Sequence, residues 1–379
     1  MSTIVQLQQQ RFFDCLLEIK PDQHRYGVRR EMRLAKTKAQ QVASADRTLL
    51  AIEREAAYAR QADAIARQQF VEFTQAHLHD QVAEELFLKL SKFDTVASTV
   101  FDLSVGFPQV LDMLSARALT LSQLEALISP VEWLKEDLLK LVNQPQYRNK
   151  TPSGNYIKEL KPAIGLIGLD ALQQLLPVFA LKRSLPHSTE PFTQFKTAIW
   201  QYALQVARAA QRLAEECGEN ALVAYCAGMY HCLGYLVVTR TYLRTYREVK
   251  QEALLKARDA RDTELTDALD SLDADASFLN SCLAEFAGFI SADLVSKWGL
   301  RRIPLQAVMD QLAEGPGLAN PLKVTQLVHQ AIYFVQAQTL RKAKMLTDTE
   351  ELAWCQAVQI RQEQRLLLAQ TRLDRFDLE

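Results

Sequence analysis

Residues 227–234 read AGMYHCLG, and the way the chain passes through them decides what the protein is built from. From Ala221 to Val238 this stretch and its flanks carry no Asp, Glu, Lys or Arg. Such a run fits a helix buried on all sides, with no polar face turned to water. One histidine, His231, interrupts it. A buried imidazole is either a ligand with other donors around it or a side chain satisfied by a neighbour. Which of the two holds here depends on what surrounds it.

Working outward, the preceding segment FTQFKTAIWQYALQVARAAQRLAEECG (192–218) is amphipathic at helical spacing and closes on Gly218, a C-terminal stop. The buried run itself predicts one helix through NALVAYCAGMYHCLGYLVVTRTYLRTY. Upstream, residues 104–150 read as three short helices. Thr120 or Ser122 caps the second, and Pro130 opens the third, whose apolar face is Trp133, Leu134, Leu138, Leu141 and Val142. Two more helices are expected near 157–168 and 169–181. A pair follows at 279–299 and 304–312, with further helices from 322 to the C-terminus. No segment alternates as a strand does, so the fold class is all-α.

Between Gly27 and Gly106 there is neither glycine nor proline, which predicts a long helical N-terminal region. Its small and apolar residues form a heptad-like seam: Val28, Met32, Ala35, Ala39 and Val42. A second phase runs Ile52, Ala56, Ala59, Ala66, Phe70 and Phe73. The seam suits a coiled coil, including a homodimer through these helices, or helices packed on their own domain. The expected division is 1–95 as a helical extension, 96–345 as the main domain with a charged, exposed segment at about 247–277, and 346–379 as a C-terminal helix.

Basic and acidic residues nearly balance, 44 against 45, which argues against a nucleic-acid coat. Six scattered cysteines with no CxxC pair suit free thiols in a reducing compartment. The first twenty residues lack a signal-peptide core, and no stretch was expected to span a membrane. The expected location is cytoplasmic.

The block from about Phe101 to Met345 resembles the HDOD domain, a catalytically degenerate relative of the HD metal-dependent phosphohydrolases found in bacterial signalling proteins. The resemblance is carried by FPQVLDMLSARALTLSQLEALISPVEWLKEDLLKLVNQPQY, by ELKPAIGLIGLDALQQLLPVFAL, by the pair of segments ending in AGMYHCLGYLVV, and by ADLVSKWGL. It implies a multi-helix HD-like bundle. It also implies where the metal ligands of an active enzyme would fall: Tyr202 stands where the first histidine should be, and Cys232 where the aspartate of the His-Asp pair should be. Ile332 or a neighbour stands at the distant aspartate, and residues around Ala287 and Asp310 replace the further histidines of bimetallic relatives. One ligand of four, His231, remains, and a lone imidazole does not hold a catalytic metal. No enzyme activity, metal or cofactor is therefore expected. The resemblance implies a signal-transduction module acting through protein contacts. The alternative is a sensor that binds a nucleotide second messenger in the pocket of Tyr202, His231 and Cys232 without hydrolysing it.

Other candidates weigh less. HLHD (77–80) contains a literal His-Asp pair, but His77 and His79 are two apart and point to opposite sides of a helix. Arg240, Arg244 and Arg247, interleaved with Tyr242 and Tyr246, share a helix face suited to anions or to solvent and acidic neighbours. Asn143, after an apolar helix and inside a family signature, is expected to cap that helix or hold the following loop. Cys226 and Cys232 read as buried small thiols. There is no phosphate-binding loop, nucleophile elbow or zinc spacing.

Overall fold

A computed structural model describes residues 3–19, 51–92, 106–116, 119–148 and 156–374, and among them there is no strand. The protein is all-α. The chain divides into two compact units. The first comprises Met1–Leu17, Phe93–Arg240 and Phe278–Glu379, and the second Glu18–Lys92 and Thr241–Ser277.

Within the first unit, α1 (Thr3–Leu16) is followed by α3 (Gly106–Met113), α4 (Leu121–Ile128), α5 (Glu132–Val142) and the single turn α6 (Pro145–Arg148). Thr120 caps α4 in a capping box with Gln123. Pro130 lies just outside α5, whose N-cap is Val131 and not a proline-led turn. Next come α7 (Leu160–Ile167) and α8 (Leu169–Ser184), which meet at an angle of 107°. Gly168 joins them with φ +81°, a backbone that L side chains resist. The centre of the unit is α9 (Phe195–Cys217), α10 (Ala221–Tyr230) and α15 (Lys323–Lys342), packed on one another along their lengths. Around them lie α13 (Ala276–Ser296), α14 (Leu305–Glu314), α16 (Asp348–Ala357) and α17 (Gln362–Gln370).

Helix α1 packs on α15 and α16, with Phe12 and Phe13 fully buried. Gln8 Nε2 donates to Tyr333 O at 3.1 Å, and Asn280 Nδ2 donates to Asp14 Oδ1 at 2.6 Å. The first helix thus belongs with the main body, while the change from the second unit to the first falls between Lys92 and Phe93, close to residue 95. Apolar burial ties a segment to its domain whatever its place in the chain.

The expected single helix through AGMYHCLG is broken. It ends as α10 at Tyr230 and restarts as α11 (Leu233–Asp259). The charged stretch after Arg247 continues α11, and α12 (Thr263–Asp270) follows it.

In the second unit α2 (Ala51–Ser91) and α12 pack together. The buried stripe of α2 is Leu78, Val82, Leu86 and Leu90, four apart. The predicted second seam does not coincide with it: Ala59, Ala66 and Phe73 are exposed and Phe70 is half-buried. Branched side chains bury more area than alanine and win the packed face. The seam from Val28 to Val42, and the side chains of Ile52 and Ala56, lie outside the described residues.

By length and composition two helical stretches are apolar enough to cross a membrane, Ala221–Asp259 and Ala276–Ser296, and the bent pair α7–α8 would make a third. This corrects the expectation of none. Of the apolar window in the first, 89% is buried within the protein, and a helix packed on all sides is apolar all round for that reason.

Candidate functional site

The break between α10 and α11 sits against α13. Gly234 makes the approach possible: a Cβ there would lie 1.9 Å from Ala287 O. Gly228, one turn before His231, comes as close to α9, where a Cβ would meet Ala207 Cα at 2.7 Å. The break leaves backbone groups without helical partners, and Ser291 on α13 takes them up. Its hydroxyl accepts from Gly234 N–H at 2.8 Å and lies 2.7 Å from His231 O, to which it donates.

His231, the C-cap of α10, is 6% exposed. Its Nδ1 lies 2.7 Å from Gly228 O. A carbonyl only accepts, so Nδ1 carries the proton and Nε2 is the acceptor. Tyr202 on α9 donates to that Nε2 at 3.1 Å, and Gln336 on α15 donates to the Tyr202 hydroxyl at 3.1 Å. The result is a directed chain, Gln336 to Tyr202 to His231 to Gly228, across the three central helices. Burial lowers the His231 pKa to about 4, against the Gly228 carbonyl, which raises it. Burial also lifts Tyr202 well above the usual phenol range, so its hydroxyl keeps the proton it donates. Cys232 is fully buried, its Sγ 3.3 Å from Met229 O, and burial pushes its thiol up to about 12.

A divalent cation of the kind held by active HD enzymes does not fit this set. The lone pair that would face the metal accepts the Tyr202 proton, and Cys232 is a protonated thiol turned to a carbonyl. Ile332 offers no donor. Among the described residues no three His, Cys, Asp or Glu side chains come together.

The sequence comparisons bear on the same residues. Residues 103–285 match the HDOD domain family. The chain carries an HDOD domain. A protein of Treponema pallidum (strain Nichols), described only as uncharacterized, is 34% identical over 125 residues, which is 32% of this chain and 23% of that protein's length. An HDOD domain protein of unknown function from Geobacter sulfurreducens is 16% identical with a TM-score of 0.41, over 74% of this chain and 93% of its own. A candidate signal-transduction protein from Marinobacter aquaeolei VT8 is 15% identical with a TM-score of 0.44, over 78% of this chain and 66% of its own.

The matched HDOD segment contains Asn143, Tyr202, His231 and Cys232 but ends within α13, before Ser291 and all of α15. Ser291, His329 and Gln336 were missed in the sequence. The signal for the last two was there: LVHQAIYFVQA (327–337) is an apolar helix with polar residues facing inward, and His329 and Gln330 are as buried as their neighbours. Next to His231 a cavity of about 190 Å³ opens, lined in part by Tyr235, Ile332, Tyr333 and Gln336.

The remaining candidates fall elsewhere. Asn143 caps α5 and holds the loop beyond: its Nδ2 donates to Leu139 O and Ile157 O, and its Oδ1 accepts from Ile157 N–H, at 2.7, 2.8 and 2.9 Å. Arg240, Arg244 and Arg247 are exposed, but Tyr242 and Tyr246 are buried, so no arginine–tyrosine surface forms. Arg244 pairs with Glu248 at 2.8 Å, and Glu248 also takes Lys89 at 2.6 Å. His77 in HLHD is exposed, 3.4 Å from Gln81.

Proposed function

We propose that this chain is a non-enzymatic signal-transduction module of the bacterial cytoplasm that acts through contacts with partner proteins. One observation carries it: the only HD ligand retained, His231, is consumed by the hydrogen-bond chain from Gln336 and Tyr202. A scaffold kept while its donor set is replaced by a buried hydrogen-bonded network acts through its surface. The cysteines, all free thiols, suit a reducing compartment. The near-zero net charge favours protein over nucleic-acid partners.

The contact surface offered first is α2. Tyr58, Ile65 and Phe73 are 73%, 49% and 72% exposed and share one side of that helix. Its occupant is a second copy of the chain.

Two measurements test these statements. The full chain is assayed with Mn²⁺, Mg²⁺ or Zn²⁺ on a diester substrate and on cyclic dinucleotides; no turnover is expected. Metal-dependent hydrolysis that vanishes in His231→Ala would overturn the non-enzymatic role. Light scattering should give a dimer that Ile65→Asp with Phe73→Asp converts to monomer, and a monomeric wild type removes the second copy from the proposal.

A further inference from the structure

We infer that the cavity beside His231 is a binding site for a small protonated amine. It deepens the non-catalytic role at the same site and rests on that role only in taking the ligand to be bound and not turned over. The cavity holds about 190 Å³, below the 300–1,000 Å³ or so of sites for drug-sized ligands, so its occupant is short.

The chemistry of the lining sets the sign of its charge. Among the lining residues there is no lysine and no arginine, while Glu285 and Glu314 stand exposed on the wall. Both ring nitrogens of His231 are engaged, by Gly228 O and by the Tyr202 hydroxyl. The charged side chains on the wall are therefore the two carboxylates. A nucleotide would meet two carboxylates and no cation, which turns the small-molecule alternative away from second messengers.

The interior asks for donors. Gln336 is 1% exposed, its Nε2 is spent on Tyr202, and its Oε1 has no hydrogen-bond partner. His329 bonds to the backbone of Leu312, and in a neutral ring so bonded the other nitrogen accepts. An ammonium group carries three N–H donors and no acceptor. Tyr235 and Tyr333 supply ring walls, and aromatic faces attract a cation.

The test titrates butylamine and 1,4-diaminobutane into the full chain by calorimetry, with butanol and butyrate as neutral and anionic controls of the same length. Saturable one-site binding of the amines is expected, with butanol at least about tenfold weaker and butyrate unbound. Glu285→Gln with Glu314→Gln, both on exposed positions, should weaken the amines about tenfold without disturbing the fold. Gln336→Leu should do the same where it folds. Absence of saturable amine binding to about 10 mM, equal uptake of butanol, or binding of butyrate overturns the inference. None of these touches the hydrolysis assay, so the two readings fail separately.

Discussion

Replacing Gly234 by alanine should be among the most damaging single-methyl additions this protein can suffer. The added Cβ would sit 1.9 Å from Ala287 O, 2.7 Å from Ala287 C and 2.9 Å from its Cα. All three are backbone atoms, so no side chain can rotate away. Ordinary contact lies near 3.5 Å, so α11 and α13 must separate by more than about 1 Å. Overpacking of that kind costs about 1–3 kcal/mol, at times more. The separation also stretches the bonds of Ser291 to Gly234 N–H and His231 O, now 2.8 and 2.7 Å. Orphaning such buried groups costs a further 1–3 kcal/mol or so, for a total of about 2–6 kcal/mol. Urea unfolding followed by tryptophan fluorescence reads this directly, because Trp133, Trp200, Trp298 and Trp354 all lie in the first unit. Trp298 stands edge-on to Tyr230 at 4.8 Å, beside the break. Gly165→Ala is the matched control: it sits inside α7 with nothing nearer than Leu121 Cδ1 at 3.8 Å, and should stabilise by about 0.5–1 kcal/mol. A Gly234→Ala protein within about 1 kcal/mol of wild type, at unchanged slope, would refute the close approach and the part assigned to Ser291.

Tyr202→Phe should cost about 2–4 kcal/mol in the same assay, since it orphans His231 Nε2 and Gln336 Nε2 together; a neutral result would mean the hydroxyl bridges nothing. His231 and His329 have folded pKa values near 4, below the ordinary 6.5, so between those values the unfolded chain binds more protons. Their contribution is therefore complete above pH 6.5 and is lost on acidification towards pH 4, at up to about 1.4 kcal/mol per pH unit for each ring. His329→Gln should halve that slope in unfolding measured at a series of pH values, and an unchanged slope would place the titration elsewhere. Asn143→Ala should cost about 1–3 kcal/mol and speed hydrogen exchange at the Ile157 amide, which the side chain holds at 2.9 Å.

Much of the fold was legible in the sequence because its helices announce themselves by period and cap. Thr120 with Gln123, and Gly218 after Cys217, end or begin helices where their chemistry requires. What stayed hidden depended on contacts distant in sequence. The apolar run 221–238 gives no local sign of a break, since the break is paid for by Ser291 on another helix. The alanine seam of α2 has good heptad spacing, yet the face that packs is the leucine stripe beginning at Leu78. The arginine–tyrosine surface failed for a related reason: residues adjacent in sequence lie about 100° apart on a helix, and the tyrosines turned inward. At the site, Tyr202, His231 and Cys232 were named from their positions in the resemblance; the apolar helix around Gln336 marks that residue as buried and polar, but not as the partner of a tyrosine 134 residues away.

That partner completes the hydrogen bonding around the buried histidine. A cation in such a site does structural as well as chemical duty, drawing ligands from several helices to one point. Without it a buried histidine would hold an unsatisfied nitrogen, at a cost of about 1–3 kcal/mol. In this chain the hydroxyl of Tyr202 reaches that nitrogen, and the amide of Gln336 reaches the hydroxyl. The three residues come from α9, the end of α10, and α15, the helices that form the centre of the unit. A neutral chain of hydrogen bonds thus joins the three central helices, and it carries no charge that needs a counter-ion. Its one loose end is Gln336 Oε1, which has no hydrogen-bond partner among the described residues. A donor that reached it would extend the chain by one bond.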